Sequence, residues 1–302
     1  MKKNLLNFIF CLLTITSIII IFKNNKEVAT IILEAINLFL KKVFVSLFPM
    51  FIINDLLISL NIPYYFYLIF NKPFKCLFKT SGICAYVFIM SLISGTPSNA
   101  YILKNLVQEN TISPREASHY LLFTYFSNPL FLSLMLSSIF DTTTTLKIII
   151  VHYFSNVIIG LIYRSKAPKF CNSKIKPLPA NIPATLIRSI NKSISTLLMI
   201  LGTIVFYMIL SYIASLFFQN FHILKLLISC FLEITNGLNL LASINITLKI
   251  KEIVAIATIS FGGLSINTQI KAILEDSDIP YHNFLKGRIL QALISVVLII
   301  LI

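Results

Sequence analysis

Long apolar runs constrain this chain more than any other feature of its sequence. Most are close to the roughly 20 residues that a helix needs to cross hydrocarbon. Of the 302 residues, 57% are hydrophobic and 12% charged, whereas a soluble domain carries roughly 25% charge. The sequence therefore predicts an all-α, polytopic integral membrane protein of about 8–10 helices, and it excludes a soluble enzyme. The runs lie at 4–22, 28–40, 43–70, 82–103, 117–140, 145–163, 193–218, 223–244, 252–274 and 286–302.

Positive charge gives the orientation of these runs. The net charge of +14 is concentrated in short connections, which is typical of cytoplasmic loops and not of nucleic-acid binding. The connection 164–192 holds seven basic residues and no acid, so we expect it in the cytoplasm. The loop with Lys72, Lys75 and Lys79 would then lie outside. Either a segment near 43–70 is re-entrant, or these lysines snorkel from the interface.

The connection 164–192 also divides the chain, because it contains four prolines. We predict an N-terminal membrane anchor and an amphipathic helix at 1–42, and a first membrane half at 43–163. A cytoplasmic linker at 164–192 and a second membrane half at 193–302 follow. The apolar start is too long for a signal peptide and lacks a cleavage site, so it is expected to stay as a helix.

Catalytic and metal-binding motifs do not appear in the sequence. The five cysteines form no CxxC pair, and the four histidines are scattered. Zinc motifs, Walker loops and dinucleotide fingerprints are not found. The chain is predicted not to be an enzyme and to need no cofactor or metal.

Glycine is scarce, with 8 in the whole chain, and several of these interrupt the apolar runs. Gly95 precedes Thr96 and Pro97, Gly237 follows a polar group, and Gly262 and Gly263 are adjacent. Such residues disfavour continuous helix. Unpaired backbone groups in lipid cost several kcal/mol, so such breaks survive only when buried in protein or beside a wet cavity.

The Gly95 and Gly262 segments share a spacing. With these glycines aligned, Ser98 meets Ser265 and Lys104 meets Lys271 without gaps. The predicted orientation runs the two segments in opposite directions. This indicates two inverted-topology halves with broken helices and a site near the midplane.

Two further positions allow two interpretations each. Asn128 and Pro129 interrupt the run 117–140, either as a structural kink, which is favoured slightly, or as a ligand contact. Glu233 lies deep in an apolar run. It either marks an ion or solute path or is a protonated acid hydrogen-bonded between helices.

Five motifs follow one another in the order seen in the YlbJ-type sporulation integral membrane proteins, which the chain resembles over about residues 40–302. They occupy 46–51 (Ser-Leu-Phe-Pro-Met-Phe), 94–100, 127–131, 233–237 and 260–265. Those proteins belong to the nucleoside-recognition, or Gate-domain, group, which is similar to concentrative nucleoside transporters.

The resemblance implies a solute or ion site between the two halves. Together with the breaks, it gives the candidate site residues Gly95, Ser98, Asn99, Asn128, Glu233, Asn236, Gly262, Gly263, Ser265, Asn267 and Gln269.

The resemblance implies a transporter-like protein of the bacterial cell membrane that moves or binds a small polar solute or cation and is needed in endospore formation. The alternative is a non-transporting membrane scaffold for assembly of the spore envelope, in which the same motifs serve as helix-packing notches. The lipid bilayer is the expected partner. The oligomeric state stays open, with a homo-oligomer as one alternative.

Overall fold

A computed structural model describes residues 14–164 and 181–302 of the chain. The described residues form helices, and no strand occurs among them. In the first half these are α1 (Thr14–Lys23), α2 (Asn25–Leu38), a π-helical turn (Phe39–Phe44), α3 (Val45–Ser59), α4 (Ile62–Phe78), α5 (Ile83–Ser94), α6 (Ser98–Gln108), α7 (Pro114–Leu121), α8 (Pro129–Leu136) and α9 (Thr142–Tyr163). In the second half they are α10 (Ile182–Phe217), α11 (His222–Leu232), α12 (Ile234–Ser243), α13 (Leu248–Phe261), α14 (Gly263–Leu274) and α15 (His282–Leu301).

Five helical stretches in this described part are long and apolar enough to cross a membrane. They are α2 to α3, α9, α10, α13 with α14, and α15. On α9, Leu146, Ile150 and Phe154 are exposed at intervals of four residues, so they line one apolar face suited to lipid. The all-α, polytopic membrane architecture predicted from the sequence is confirmed.

A sharp bend in the first half separates α4 from α5. These two helices meet at 89° across residues 79–82, which is the geometry of a broken span or a re-entrant loop. Lys72, Lys75 and Lys79 lie at the end of α4 and beside this bend. Both explanations for their position, a re-entrant segment near 43–70 or snorkelling from the interface, stay predictions.

The predicted run 43–70 is divided between α3 and α4 at residues 60–61. Four later runs are also divided into two helices each. The divisions fall at Gly95 between α5 and α6, at 122–128 between α7 and α8, at Glu233 between α11 and α12, and at Gly262 between α13 and α14. Two details differ from the sequence predictions. Residues 124–128 are not a kinked helix but a non-helical segment, which we call the extended segment. Gly237 lies inside α12, and the break itself is at Glu233, before that helix.

Some predicted boundaries also differ from the helices observed. Residues 28–40 are not a separate amphipathic segment, because helix continues through the π-helical turn to Ser59. The boundary at 42/43 therefore falls inside a helix. The boundary at 192/193 falls inside α10, which begins at Ile182. Residues 1–13 and 165–180, which contain most of the predicted anchor run and linker, lie outside the described residues.

The helices pack in two groups around the broken segments. In one group, α10 packs against α2 and α3; in the other, α15 packs against α9 and α13. Between them, α6 contacts α14, and α14 contacts α10 and α11. The two glycine-marked pairs, α5 with α6 and α13 with α14, thus lie in the middle of the molecule. Their predicted inverted relation stays a prediction.

Candidate functional site: a polar cavity between the broken helices

A cavity of about 90 Å³ lies where the four breaks meet the first long helix. This is room for a few water molecules or one small polar group. We call it the central cavity. Its polar lining comes from every broken segment and consists of Lys42, Ser46, Ser94, Thr96, Ser127, Asn128, Glu233, Thr235, Ser265 and Gln269.

The first break is held by a glycine that no other residue replaces easily. Gly95 has φ +76° and ψ −177°, a region populated almost only by glycine. A Cβ built on Gly95 would lie 2.6 Å from the backbone nitrogen of Asn128. The break at Gly95 is therefore packed directly against the start of α8, and it brings Thr96 to the central cavity.

The second break, residues 124–128, exposes backbone groups that a membrane cannot satisfy. Side chains supply the missing partners. Thr96 donates to the Phe126 carbonyl at 3.1 Å, and Asn156 on α9 donates to the Tyr125 carbonyl. Asn128 caps α8 by accepting from two amides at 2.9 and 3.2 Å.

Two more residues of α9 hold Ser127 in this extended segment. The Ser127 amide donates to Nε2 of His152 at 3.2 Å, so that this nitrogen is the acceptor of a neutral ring. The Tyr153 hydroxyl donates to the Ser127 carbonyl at 3.0 Å. The extended segment is thus a fixed wall of the cavity, stabilised from α9.

Tyr153→Phe is expected to destabilise the protein by about 1–3 kcal/mol, because the buried Ser127 carbonyl loses its donor. Thermal unfolding of the detergent-purified protein measures the change. Tyr65→Phe is the matched control, since the Tyr65 side chain on α4 is exposed and such changes usually alter stability by less than about 0.5 kcal/mol. Equal unfolding temperatures for the two variants would contradict the role assigned to Tyr153.

The third break places a carboxylate at the cavity wall. Glu233 has extended backbone angles and is 6% exposed. Its side chain accepts from the Asn236 amide at 2.8 Å and so caps α12. Gly237 allows α12 to pack on α11, because a Cβ there would lie 2.5 Å from the Cα of Cys230.

The fourth break turns α14 toward the cavity. Gly262 and Gly263 have φ +88° and +62°. Ser265 and Gln269 lie one turn apart on the cavity face and are joined by a 3.3 Å hydrogen bond. Asn267 lies on another face of α14, where it donates to the Gly263 carbonyl and accepts from Tyr281 at 2.8 Å.

The predicted site residues therefore divide into three sets. The structure brings Asn128, Glu233, Ser265 and Gln269 together around the central cavity. Gly95, Gly262 and Gly263 shape its walls as backbone breaks. The remaining predicted residues do not line the cavity: they are Ser98, Asn99, Asn236 and Asn267.

Ser98, Asn99 and Asn236 have other surroundings. Asn236 donates to Ser211 on α10 at 2.7 Å. Ser98 and Asn99 are fully buried, and among the described residues the Ser98 hydroxyl and both amide atoms of Asn99 have no hydrogen-bond partner. These two residues thus lie inside the bundle behind the first break.

Lys42 is a cavity residue that the sequence analysis missed. It lies in the π-helical turn, its Nζ is 3.5 Å from the sulfur of Met135, and it lines the central cavity. Lys42 and Glu233 are the charged residues of the lining. The sequence signal was a lysine pair inside apolar sequence, which was interpreted as a boundary between two segments. A π-helical turn is often found at functional sites.

The described residues contain no cluster of three or more His, Cys, Asp or Glu side chains that could hold a metal ion. The cavity instead offers one carboxylate, one ammonium, two amides and several hydroxyls. Such a set can replace the hydration shell of a small polar solute or ion through hydrogen bonds.

Together these observations define a multi-pass, all-helical membrane protein whose broken helices meet at a polar cavity. The chain is similar to the sporulation integral membrane protein YlbJ of Bacillus subtilis, with 28% identity over 86% of this chain and 73% of that protein. The finding confirms the resemblance to the YlbJ-type family, and the predicted multi-pass location in a bacterial cell membrane agrees with it. No family model and no solved structure matches the chain. Its relation to the wider nucleoside-recognition group stays a prediction.

Proposed function

We propose that this protein binds a small polar solute or ion, or moves it across the membrane, and that it acts in endospore formation. The observation that supports this most is the convergence of four broken segments on one polar cavity. Irregular backbone at membrane depth occurs where it is buried in protein or lines a cavity, and transporters place their solute sites at such breaks. The name of the Bacillus subtilis relative supports the sporulation context.

In this proposal the cavity side chains replace water around the solute. Asn128, Ser265 and Gln269 supply neutral donors and acceptors, while Glu233 and Lys42 supply opposite charges. Charged residues inside a membrane bundle are costly and by default mark a solute, ion or proton path. Glu233 is the residue that we expect to couple a cation or proton, or to bind the solute directly.

Glu233→Gln tests this proposal, because the glutamine oxygen can still accept from the Asn236 amide while the charge is lost. A hydrogen bond to a charged group contributes about 1.5–3 kcal/mol, so solute binding should weaken by about 10- to 100-fold. Variants are introduced into Bacillus subtilis cells that lack the YlbJ relative. The unaltered chain should restore heat-resistant spores in these cells. For each variant, the number of heat-resistant spores and the amount of protein in the membrane are measured.

Glu34→Gln is the matched control, because Glu34 is an exposed acid on α2 away from the cavity. We expect Glu233→Gln to lower the spore count with normal membrane protein, and Glu34→Gln to leave it unchanged. Normal spore numbers with Glu233→Gln would overturn the proposal.

The scaffold remains the second candidate, because some of the motif residues act in packing. Gly237 lets α11 and α12 approach closely, and Asn236 and Asn267 bond to neighbouring helices and not to the cavity. A scaffold would lose function with Gly237→Ala and keep it with both Glu233→Gln and Gln269→Ala. The same spore count therefore separates the two functions.

A further inference from the structure

Three cavities follow one another along a single face of α10. The central cavity lies beside Ile200 and Ile204. A middle cavity of about 280 Å³ and an outer cavity of about 240 Å³ lie beside residues nearer the start of α10. The lining residues of α10 recur every three or four positions, as on one helix face: they are Arg188, Ser189, Lys192, Ser195, Thr196, Met199, Ile200 and Ile204.

The linings of the three cavities adjoin along α10. Lys192 lines both the outer and the middle cavity. Met199 lines the middle cavity, and the next residue, Ile200, lines the central one. From Lys192 to Ile204 the helix rises about 18 Å, so the row covers more than half of a bilayer core.

Helix α14 also lines the middle and central cavities. Ala272 and Ile273 line the middle cavity, and Gln269, one turn earlier, lines the central one. Helix α14 packs directly against α10. The same two helices, α10 and α14, therefore line both the middle and the central cavity.

Polar groups surround the outer end of the row. Lys192 donates to Asn105 and, at 3.2 Å, to Gln108. Asn105 in turn donates to Asp55, which also accepts from Tyr101 at 2.9 Å. This end is hydrophilic enough to hold water, and the sequence predicts it on the cytoplasmic side.

Four apolar side chains of α10 and α14 line either the middle or the central cavity. They are Met199, Ile200, Ile266 and Ile273, and we call them the apolar layer. Ile200 and Ile273 are 1% and 5% exposed, and Met199 and Ile266 are half-buried. An apolar constriction of this kind excludes water and blocks polar solutes until it opens.

We propose that this row of cavities is the access route to the central cavity and that the apolar layer is its closed gate. The proposal rests on the proposed function and extends it by naming the path of the solute. A polar solute would enter or leave beside Lys192, pass between α10 and α14, and cross the apolar layer when it opens.

Cysteine labelling tests the route without any knowledge of the solute. The five native cysteines are replaced by alanine, and single cysteines are introduced by Thr196→Cys and Leu198→Cys. Thr196 lines the middle cavity, whereas Leu198, in the same turn, is 60% exposed on another face that we assign to lipid. A charged, membrane-impermeant thiol reagent reacts with the thiolate of a cysteine, and the thiolate forms where water reaches the side chain. In inverted vesicles, we expect it to label Thr196→Cys at least about tenfold faster than Leu198→Cys.

A second labelling site tests the gate. Ile204→Cys places a thiol in the central cavity, beyond the apolar layer, and should react slowly from the side that labels Thr196→Cys. Adding Ile200→Ser should raise that rate by about tenfold or more, because a hydroxyl lets water into the constriction. The rate at Thr196→Cys in the same Ile200→Ser background should not change, and this shows that the fold is intact.

Equal labelling of Thr196→Cys and Leu198→Cys would overturn the route. An unchanged rate at Ile204→Cys after Ile200→Ser, with normal labelling of Thr196→Cys, would overturn the gate. These outcomes differ from failure of the proposed function, because labelling needs no transport. If the labelling rates are as expected while Glu233→Gln leaves the spore count normal, the access route is supported and the solute site at Glu233 is overturned.

Discussion

Gly95→Ala is expected to destabilise the protein strongly. The alanine would have to adopt φ +76° with extended ψ, and such backbone strain costs about 1–3 kcal/mol. Its Cβ would also lie 2.6 Å from the backbone nitrogen and 2.7 Å from the Cβ of Asn128. Backbone atoms held by a capped helix cannot move aside cheaply, and overpacking adds about 1–3 kcal/mol.

Both costs act at one place, so we expect a total loss of about 2–6 kcal/mol, a large part of the stability of an ordinary domain. The measurement is the amount of protein in the membrane together with the unfolding temperature in detergent. The effect should reach the cavity as well, since Gly95 packs on Asn128 and the neighbouring Thr96 holds the extended segment.

Gly202→Ala is the matched control within the same chain. Gly202 lies inside α10, has no positive φ, and a Cβ there would meet nothing within 4 Å. Alanine is the better helix former by about 1 kcal/mol, so this variant should be as stable as the unaltered protein or slightly more stable. Similar unfolding temperatures for the two variants would contradict the packing described at the first break.

The breaks illustrate how far sequence reasoning reaches. Gly95 with Pro97, the Asn128-Pro129 pair and the two adjacent glycines at 262 and 263 all indicated interruptions, and helices do end at these places. Local chemistry decides such breaks, because a residue without an amide hydrogen or with a positive φ disfavours helix wherever it lies.

It was harder to predict which side chains face the cavity. Ser265, Asn267 and Gln269 were all assigned to the site, but only the first and the last, four positions apart, share the cavity face. Helical spacing alone could have separated Asn267 from the other two. Lys42 was not predicted, because no pattern in the sequence indicated the π-helical turn that carries it. The extended segment at 124–128 likewise depends on partners from a distant helix, α9.

Arg288 is a second residue that sequence reasoning passed over, and the largest remaining effect is expected there. It is fully buried on α15 and forms no ion pair with a carboxylate of the described residues. Its guanidinium lies 3.8 Å from the centre of the Tyr125 ring. It donates to the carbonyls of Leu122 and Ser260 at 3.3 and 3.4 Å.

Those two carbonyls explain why a charge is tolerated in this place. Leu122 follows α7, where the second break begins, and Ser260 lies two residues before Gly262, in the last turn of α13. One planar guanidinium with five donors can serve both breaks and also Gln291 and Asn156. Arg288 therefore joins the broken segments of the two halves from behind the cavity.

Arg288→Met should destabilise the protein by about 2–6 kcal/mol, because two buried carbonyls lose their donor at about 1–3 kcal/mol each. Arg288→Lys should recover only part of this loss, since an ammonium cannot reproduce the planar fork or its stacking on Tyr125. The unfolding temperatures of the purified variants in detergent give the order of their stabilities.

Lys286→Met on the same helix is the control. Lys286 is exposed and lies 4.6 Å from the centre of the Tyr163 ring, a contact worth about 0.5–1 kcal/mol at an exposed site. If Arg288→Met were as stable as Lys286→Met, the buried guanidinium would not be what joins the two breaks. If Arg288→Lys fully restored stability, charge alone would suffice, and the two-carbonyl geometry would not matter. The expected order, with methionine lowest and lysine between it and arginine, is the one that requires a donor fork at this position.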